Sequence, residues 1–305
     1  MNRIKKIVLL VVLGLGLPSM GWSQTCTNAP SGLVGWWPGD GNADNTAAID
    51  IIGGSTGALN GGAAFSTSSK VGPAAFSFDG TNSALRINWI NPSLNLTTFT
   101  VEAWVNPRSL SGNGGFIVSK HTTLSVNYEL GFNLINKLEF GFFDGAWHFV
   151  TSTAVPQVGA WTHLVGTYDG STIKLYVDGV LDVQLSYTGT PPTTGQPMSI
   201  GQRSNGTFTF DGLIDEVSIY NRALTDAEIL GIFQAGSGGK CRPLDPACAA
   251  LQAQLNTISA GLVQIETFLG KPIAGATTAD RFTTLKDAIL RLRRMCQRQL
   301  AGFLP

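Results

Sequence analysis

Thr162-His-Leu-Val-Gly-Thr-Tyr-Asp-Gly-Ser-Thr-Ile-Lys-Leu-Tyr-Val-Asp-Gly179 decides the fold class of this chain. Thr162 to Tyr168 and Ile173 to Val177 are short runs rich in β-branched and aromatic residues, and each is followed by Asp-Gly. Both positions of that dipeptide tolerate positive φ, which the tight turns between antiparallel strands require. The same pattern extends outward. Further strands are expected at Phe99 to Val105, Gly115 to Ser119, Tyr128 to Asn133, Lys137 to Phe142 and Leu213 to Tyr220, with Asp-Gly recurring at Asp40, Asp79, Asp144 and Asp211. So long a series of short strands, from residue 31 to 222, predicts an all-β, two-sheet antiparallel sandwich rather than a barrel.

Beyond Tyr220 the period changes. Thr225 and Glu228 have capping-box spacing, so a short helix is expected there. Residues 235–244, rich in Gly and Ser, read as a linker. Leu251, Leu255, Ile258, Leu262, Ile265 and Leu269 then recur at intervals of three and four, between a start signal at Asp245-Pro246 and a stop at Gly270 and Pro272. Phe282, Leu285, Ile289, Leu292 and Cys296 repeat the stripe. The expectation for 245–300 is a small antiparallel helical hairpin, with domain bounds of 24–234 for the sandwich.

Arg3, Lys5 and Lys6 precede the apolar run Ile7 to Leu17, and small residues end at Ser23, which predicts a secretory signal peptide over 1–23. The run is about half of the ~20 residues that span a bilayer, and no other segment reads as transmembrane. Without those three basic residues the chain has 17 basic and 20 acidic residues, a formal charge of −3. Only 13% of residues are charged, so a nucleic-acid partner recruited by bulk charge is excluded. An extracytoplasmic site, in the periplasm, at the cell surface or outside the cell, makes disulfides permissible. Cys26 and Cys241 bracket the β region while Cys248 and Cys296 bracket the helical patterns, so these are the expected pairs. The second pair would staple the hairpin, contributing up to roughly 4 kcal/mol in the chain-entropy model.

Phe99-Thr-Val-Glu-Ala-Trp-Val, Gly159-Ala-Trp-Thr-His-Leu-Val-Gly-Thr-Tyr-Asp-Gly, Lys174-Leu-Tyr-Val-Asp-Gly and Asp211-Gly-Leu-Ile-Asp-Glu-Val-Ser-Ile-Tyr-Asn-Arg-Ala-Leu-Thr resemble, in order, the laminin G-like family of concanavalin A-like lectin/glucanase domains. The resemblance covers about 31 to 233 and implies a jelly roll that serves as a noncatalytic recognition or adhesion module of secreted bacterial proteins. It also implies a structural calcium ion. The family pattern falls on Trp37-Pro38-Gly39-Asp40-Gly41-Asn42-Ala43 and Ala48-Ile49-Asp50-Ile51-Ile52-Gly53-Gly54, with an insertion that leaves open whether Asp44 or Asp50 takes the family position. The expected ligands are Asp40, Asp50 and Asp215, with Asp79 as a fourth, completed by loop carbonyls to the six to eight oxygens calcium needs.

The glucanase branch carries its catalytic pair on one strand as Glu-x-Asp-x-x-Glu or a close variant, and no such segment occurs here. Asp215 and Glu216 are adjacent, so strand alternation points them to opposite faces. Glu102 stands alone on an apolar strand, and His148 and His163 lack a nucleophile at recognisable spacing. The expectation is a protein without enzymatic activity, the alternative of a divergent glycanase resting on fold alone. Trp147, after Asp144-Gly145-Ala146, and Trp89 lie beside turn signals and are the expected glycan-binding aromatics; Trp104 and Trp161 match core positions. The hairpin's basic residues Arg281, Lys286, Arg291, Arg293, Arg294 and Arg298 suit an acidic polymer or protein partner, and its apolar stripe suits self-association.

Overall fold

Residues 26–41, 45–87, 91–110, 112–122, 125–193, 195 and 197–243 are described by the computed structural model of the chain. The expected signal peptide, the helical hairpin with Cys248 and Cys296, Asp44 and Trp89 lie outside them. The strands are β1 (Leu33–Trp37), β2 (Ala47–Ala48), β3 (Gly57–Asn60), β4 (Ala64–Ser66), β5 (Ala75–Asp79), β6 (Ala84–Ile87), β7 (Phe99–Pro107), β8 (Gly115–His121), β9 (Val126–Phe132), β10 (Leu138–Phe143), β11 (Trp147–Thr151), β12 (Thr162–Tyr168), β13 (Thr172–Val177), β14 (Val180–Ser186), β15 (Met198–Ile200) and β16 (Asp211–Tyr220). Among the described residues one α-helix, α1, spans Asp226–Gln234.

Among the described residues all pairs of these strands are antiparallel and they form two sheets, as the alternating runs predict. The first is ordered β14-β13-β12-β7-β16-β5-β4, with β1 also on β16; the second is β11-β10-β9-β8-β15-β6-β3-β2. Their inner faces meet in one apolar core. Phe99 sits in its middle, with ring centroids of Tyr128, Tyr168, Phe140 and Phe142 at 5.4, 5.9, 6.0 and 6.4 Å. Burying each such ring stabilises the fold by roughly 2–3 kcal/mol. Asp144, Asp169 and Asp178 begin hairpin turns, and the φ values of +50° at Asp178 and +79° at Gly179 are those the dipeptide was expected to supply. Asp211 instead opens β16 and Asp40 follows β1, so the dipeptide at these two places is not a hairpin turn.

β16 carries the irregularity that shapes the molecule. On one side it pairs with β7; on the other it pairs with β5 up to Ile214 and with β1 from Val217 onward. At the changeover the register slips between Asp215 and Ser218, and Glu216 has φ +58°, a bulge geometry that costs a non-glycine residue strain.

The outer face of the first sheet is covered. Ile229 and Ile232 of α1 pack on Val165, Tyr176, Tyr220 and Leu224. The helix starts on the expected capping box, with the Glu228 amide donating to the Thr225 hydroxyl and the Glu228 carboxylate accepting from the Thr225 amide. Residues 235–243, linker-like in composition, lie along this face rather than leaving it. The Thr27 amide donates to the Gly239 carbonyl, the Cys241 amide donates to the Thr27 carbonyl, and Cys26 is bonded to Cys241 as expected.

Candidate functional site

Two regions combine polar atoms in ways that packing alone does not require. The first surrounds the β16 bulge. The bulge cancels the strand alternation that would separate Asp215 from Glu216, and the two carboxylates meet that of Asp40, which arrives on the loop after β1. Arg242 Nη2 lies 2.7 Å from Asp40 Oδ2 and 2.9 Å from Glu216 Oε1. Lys240 Nζ lies 2.9 Å from Glu102 Oε1 and 3.4 Å from Glu216 Oε2, all three residues being fully buried. Asp215 Oδ2 accepts from the amides of Lys70 and Val71. Among the described residues of this cluster, Asp40 Oδ1, Asp215 Oδ1 and Glu216 Oε1 are buried without a hydrogen-bond donor and Arg242 Nη1 without an acceptor, the Glu216 oxygen being met by Arg242 as an ion pair.

Burial pushes the Asp40 carboxyl up to about 7, with Glu216 adding to the rise and Arg242 opposing it. Burial together with the neighbouring Glu216 and Asp40 pushes Asp215 well above the ordinary carboxylate range. Burial also works against the Glu102 carboxylate, but Lys240 and His163 outweigh it and the net direction is downward. A Cβ on Gly72 would come within 2.2 Å of Asp40 Oδ1, and one on Gly39 within 3.1 Å of Asp215 Oδ1, so the two free oxygens are cradled by glycine backbone. A hard cation suits these oxygens, since it would relieve both of them without a new donor. Among the described residues no three His, Cys, Asp or Glu side chains are grouped as metal ligands. A cation here would therefore rest on Asp40 and Asp215 with backbone carbonyls.

The other two expected ligands are elsewhere and already used. Asp50 Oδ1 accepts from the amides of Trp36, Ile52 and Gly53, and its Oδ2 from Ser55. Asp79 Oδ1 accepts from the amides of Thr81, Asn82 and Ser83, and the bonds of Ser83 and Thr81 hold its carboxyl below the usual range. Both are turn carboxylates of the kind Asp-rich loops commonly contain.

The second region is the outer face of the second sheet. Cross-strand register places Arg86, Ser199, Ser119, Glu129, Gly141 and Phe149 in one row across six strands. The Ser119 hydroxyl donates to Glu129 Oε1 at 2.7 Å, and Arg203 donates to the same carboxylate from Nε at 3.0 Å and Nη2 at 2.8 Å. Burial raises the Glu129 carboxyl despite that pairing. The Arg203 guanidinium lies over Phe116 at 4.4 Å and Phe208 at 4.9 Å, and 5.9 Å from the Trp147 ring. Phe208 holds φ +54°, a strained conformation for an aromatic residue. Gly141 keeps the row flat, because a Cβ there would strike the His148 carbonyl at 1.9 Å.

At the end of the row stands Trp147, 54% exposed, with Phe143 and Phe149 rings centred 4.7 and 5.2 Å away. Its exposure follows from the Asp144 turn, as its sequence setting predicts. Glu129 and Arg203 carried no signal in the sequence, being 74 residues apart with no motif. Trp36, Trp37 and Trp104 are buried. Trp161 is only half-buried, against its expected core position, and walls a cleft with Val155, Val180 and Leu181. His163 is enclosed beside Glu102, and His148 lies 2.9 Å from Asp144 and stacks on Tyr187. Among the described residues no helix is long and apolar enough to cross a membrane.

Two stacked antiparallel sheets with chain-distant strands paired at the centre define a jelly-roll sandwich of the lectin and glucanase type. The chain matches the family model of the concanavalin A-like lectin/glucanases superfamily over residues 79–230. Among solved structures it is similar to domain 4 of AbnA, a GH43 extracellular arabinanase from Geobacillus stearothermophilus in complex with arabinotriose, at 21% identity and a TM-score of 0.52 over 65% of this chain and 96% of that one. It is similar to the binding domain of Paraclostridial Mosquitocidal Protein 1, at 16% identity and TM-score 0.53 over 66% of this chain and 52% of that chain. The Trypanosoma rangeli sialidase in complex with sialic acid matches at 20% identity and TM-score 0.51, over 67% of this chain and 33% of its own. The chain thus spans about half of the toxin domain and a third of the sialidase. At these identities the likeness is one of fold.

Proposed function

We propose that the protein is a secreted, noncatalytic recognition module that binds a neutral glycan on the Phe143–Trp147–Phe149 surface. The observation that carries this reading is a large, exposed tryptophan flanked by two phenylalanines, with the Arg203 guanidinium 5.9 Å from its ring. An aromatic face covers the C–H face of a sugar, and polar groups at its rim take the hydroxyls. The polar groups around Trp147 are already engaged, Arg203 with Glu129 and Asp144 with the His148 ring and the Tyr187 hydroxyl, which favours an uncharged ligand over an acidic one. Arabinotriose on the Geobacillus domain supports a short saccharide as the ligand class.

Catalysis is disfavoured by the state of Glu129. Both its oxygens are engaged by Arg203 and Ser119, and the residue has no exposed surface, whereas a retaining glycosidase needs two carboxyl groups about 5–5.5 Å apart reaching the substrate. Calcium, in this reading, is structural: Asp40 Oδ1 and Asp215 Oδ1 with loop carbonyls would hold it, tying the loop after β1 to the β16 bulge. The test is retention of the protein on a panel of insoluble polysaccharides, with and without EDTA. Retention on a neutral polymer that Trp147→Ala abolishes is expected; release of reducing sugar from any of the polymers would refute the noncatalytic reading.

A further inference from the structure

The carboxylate cluster at the bulge contains four acids, Asp40, Glu102, Asp215 and Glu216, and two basic partners of these acids come from one short segment, as Lys240 and Arg242. Cys241 lies between them and is bonded to Cys26. The Thr27 backbone grips the same segment from the side, through Gly239 and Cys241. The segment is therefore pinned at one point, with a cation on either side of the pin. Arg242 crosses Trp36, its guanidinium 4.8 Å from the ring, and takes only one oxygen of Asp40. Asp40 Oδ1 and Asp215 Oδ1, which face the Gly39 and Gly72 backbone, are left over.

We infer that Arg242 is a tethered counter-ion that holds down the affinity of the Asp40–Asp215 pair for a divalent cation, and that the Cys26–Cys241 disulfide keeps it in place. The inference rests on the cation reading of that pair given above. Four acids face two bases in the cluster, an excess of carboxyl groups that a divalent ion would offset. Without Arg242 that excess grows, and a fixed positive charge that repels the ion is gone. A fixed charge beside a buried ion changes affinity by about an order of magnitude or more. Glu216 pairs with Arg242 and Lys240 together, so the segment acts as a unit and its release would remove both charges.

The experiment is a titration of the metal-free full chain with Ca2+ by calorimetry, and with Tb3+ by luminescence sensitised through the buried Trp36 and Trp37. Arg242→Gln is expected to tighten Ca2+ binding at least about tenfold, Arg242→Lys to stay near the wild type, and the Cys26→Ser, Cys241→Ser double variant to shift in the same direction as Arg242→Gln. Should Arg242→Gln fail to fold, the wild type in reductant supplies the same comparison. Binding that is equal or weaker in Arg242→Gln and in the reduced protein would overturn the inference while leaving the cation site intact. No binding of either ion in any form would overturn the inference and the cation reading together.

Discussion

The first sheet buries charge on its outer face, under α1 and residues 235–243, whereas the second presents aromatic surface on its outer face beside Trp147. Both faces use a carboxylate buried to 0% exposure, Glu102 on one and Glu129 on the other. Glu102 is met by Lys240 and His163 beneath a disulfide-pinned segment, a closed arrangement that ties the fold together. Glu129 is met by Arg203, whose other side faces rings that reach solvent. The same chemistry, a buried acid with a basic partner, thus serves as a clamp where it is capped and as a support for a surface where it is not.

The contrast is broken most strongly on the closed side. Glu102→Ala would leave Lys240 buried without its nearest partner and is expected to cost about 3–5 kcal/mol, measured by denaturant unfolding, with little effect on ligand binding by the surviving folded protein. Opening Cys26–Cys241, whose ends are 215 residues apart, is expected to cost about 2–5 kcal/mol in the same assay. Thr225→Ala removes the cap of α1 and should cost about 1 kcal/mol.

Acid offers a finer probe of the second sheet. Burial, and then the nearby charge of Arg203, lower His121 from 6.5 to about 4. The unfolded chain therefore binds the proton more readily than the folded one between those values, so His121 contributes stability above pH 6.5 that is lost as the pH falls toward 4. His121→Gln should flatten the stability profile in that window, as followed by thermal melts. The smallest effect on stability is expected from Trp147→Ala, within about 0.5 kcal/mol of the wild type, because the ring is more than half exposed.

Much of the scaffold could be read in advance, and the reasons it could are local. Thr162–Tyr168 has the bounds its alternation predicts, and the Asp144, Asp169 and Asp178 turns form where Asp-Gly places them. The Thr225–Glu228 box needs only a four-residue window. What escaped depends on contacts between distant residues. Asp215 and Glu216 alternate on an ideal strand, yet the change of partner from β5 to β1 forces a bulge that brings them into one cluster. Residues 235–243 have a linker's composition, but Lys240 and Arg242 find carboxylates contributed by β7, β16 and the loop after β1, and docking follows from those pairs. In the same way Asp40 and Asp215 come together while Asp50 and Asp79 close their own turns, a division that four Asp residues in a sequence do not announce. Trp147 could be named from its turn; the Glu129–Arg203 pair that supports it could not.

The most direct test of the account is the affinity of folded wild-type and Trp147→Ala protein for neutral polysaccharides, by affinity electrophoresis, with Glu102→Gln as the closed-face control. The account predicts that Trp147→Ala loses binding by at least about tenfold with its melting temperature unchanged, while folded Glu102→Gln melts lower and binds normally. Binding that survives Trp147→Ala but fails in folded Glu102→Gln would contradict it, placing recognition on the face assigned here to the clamp.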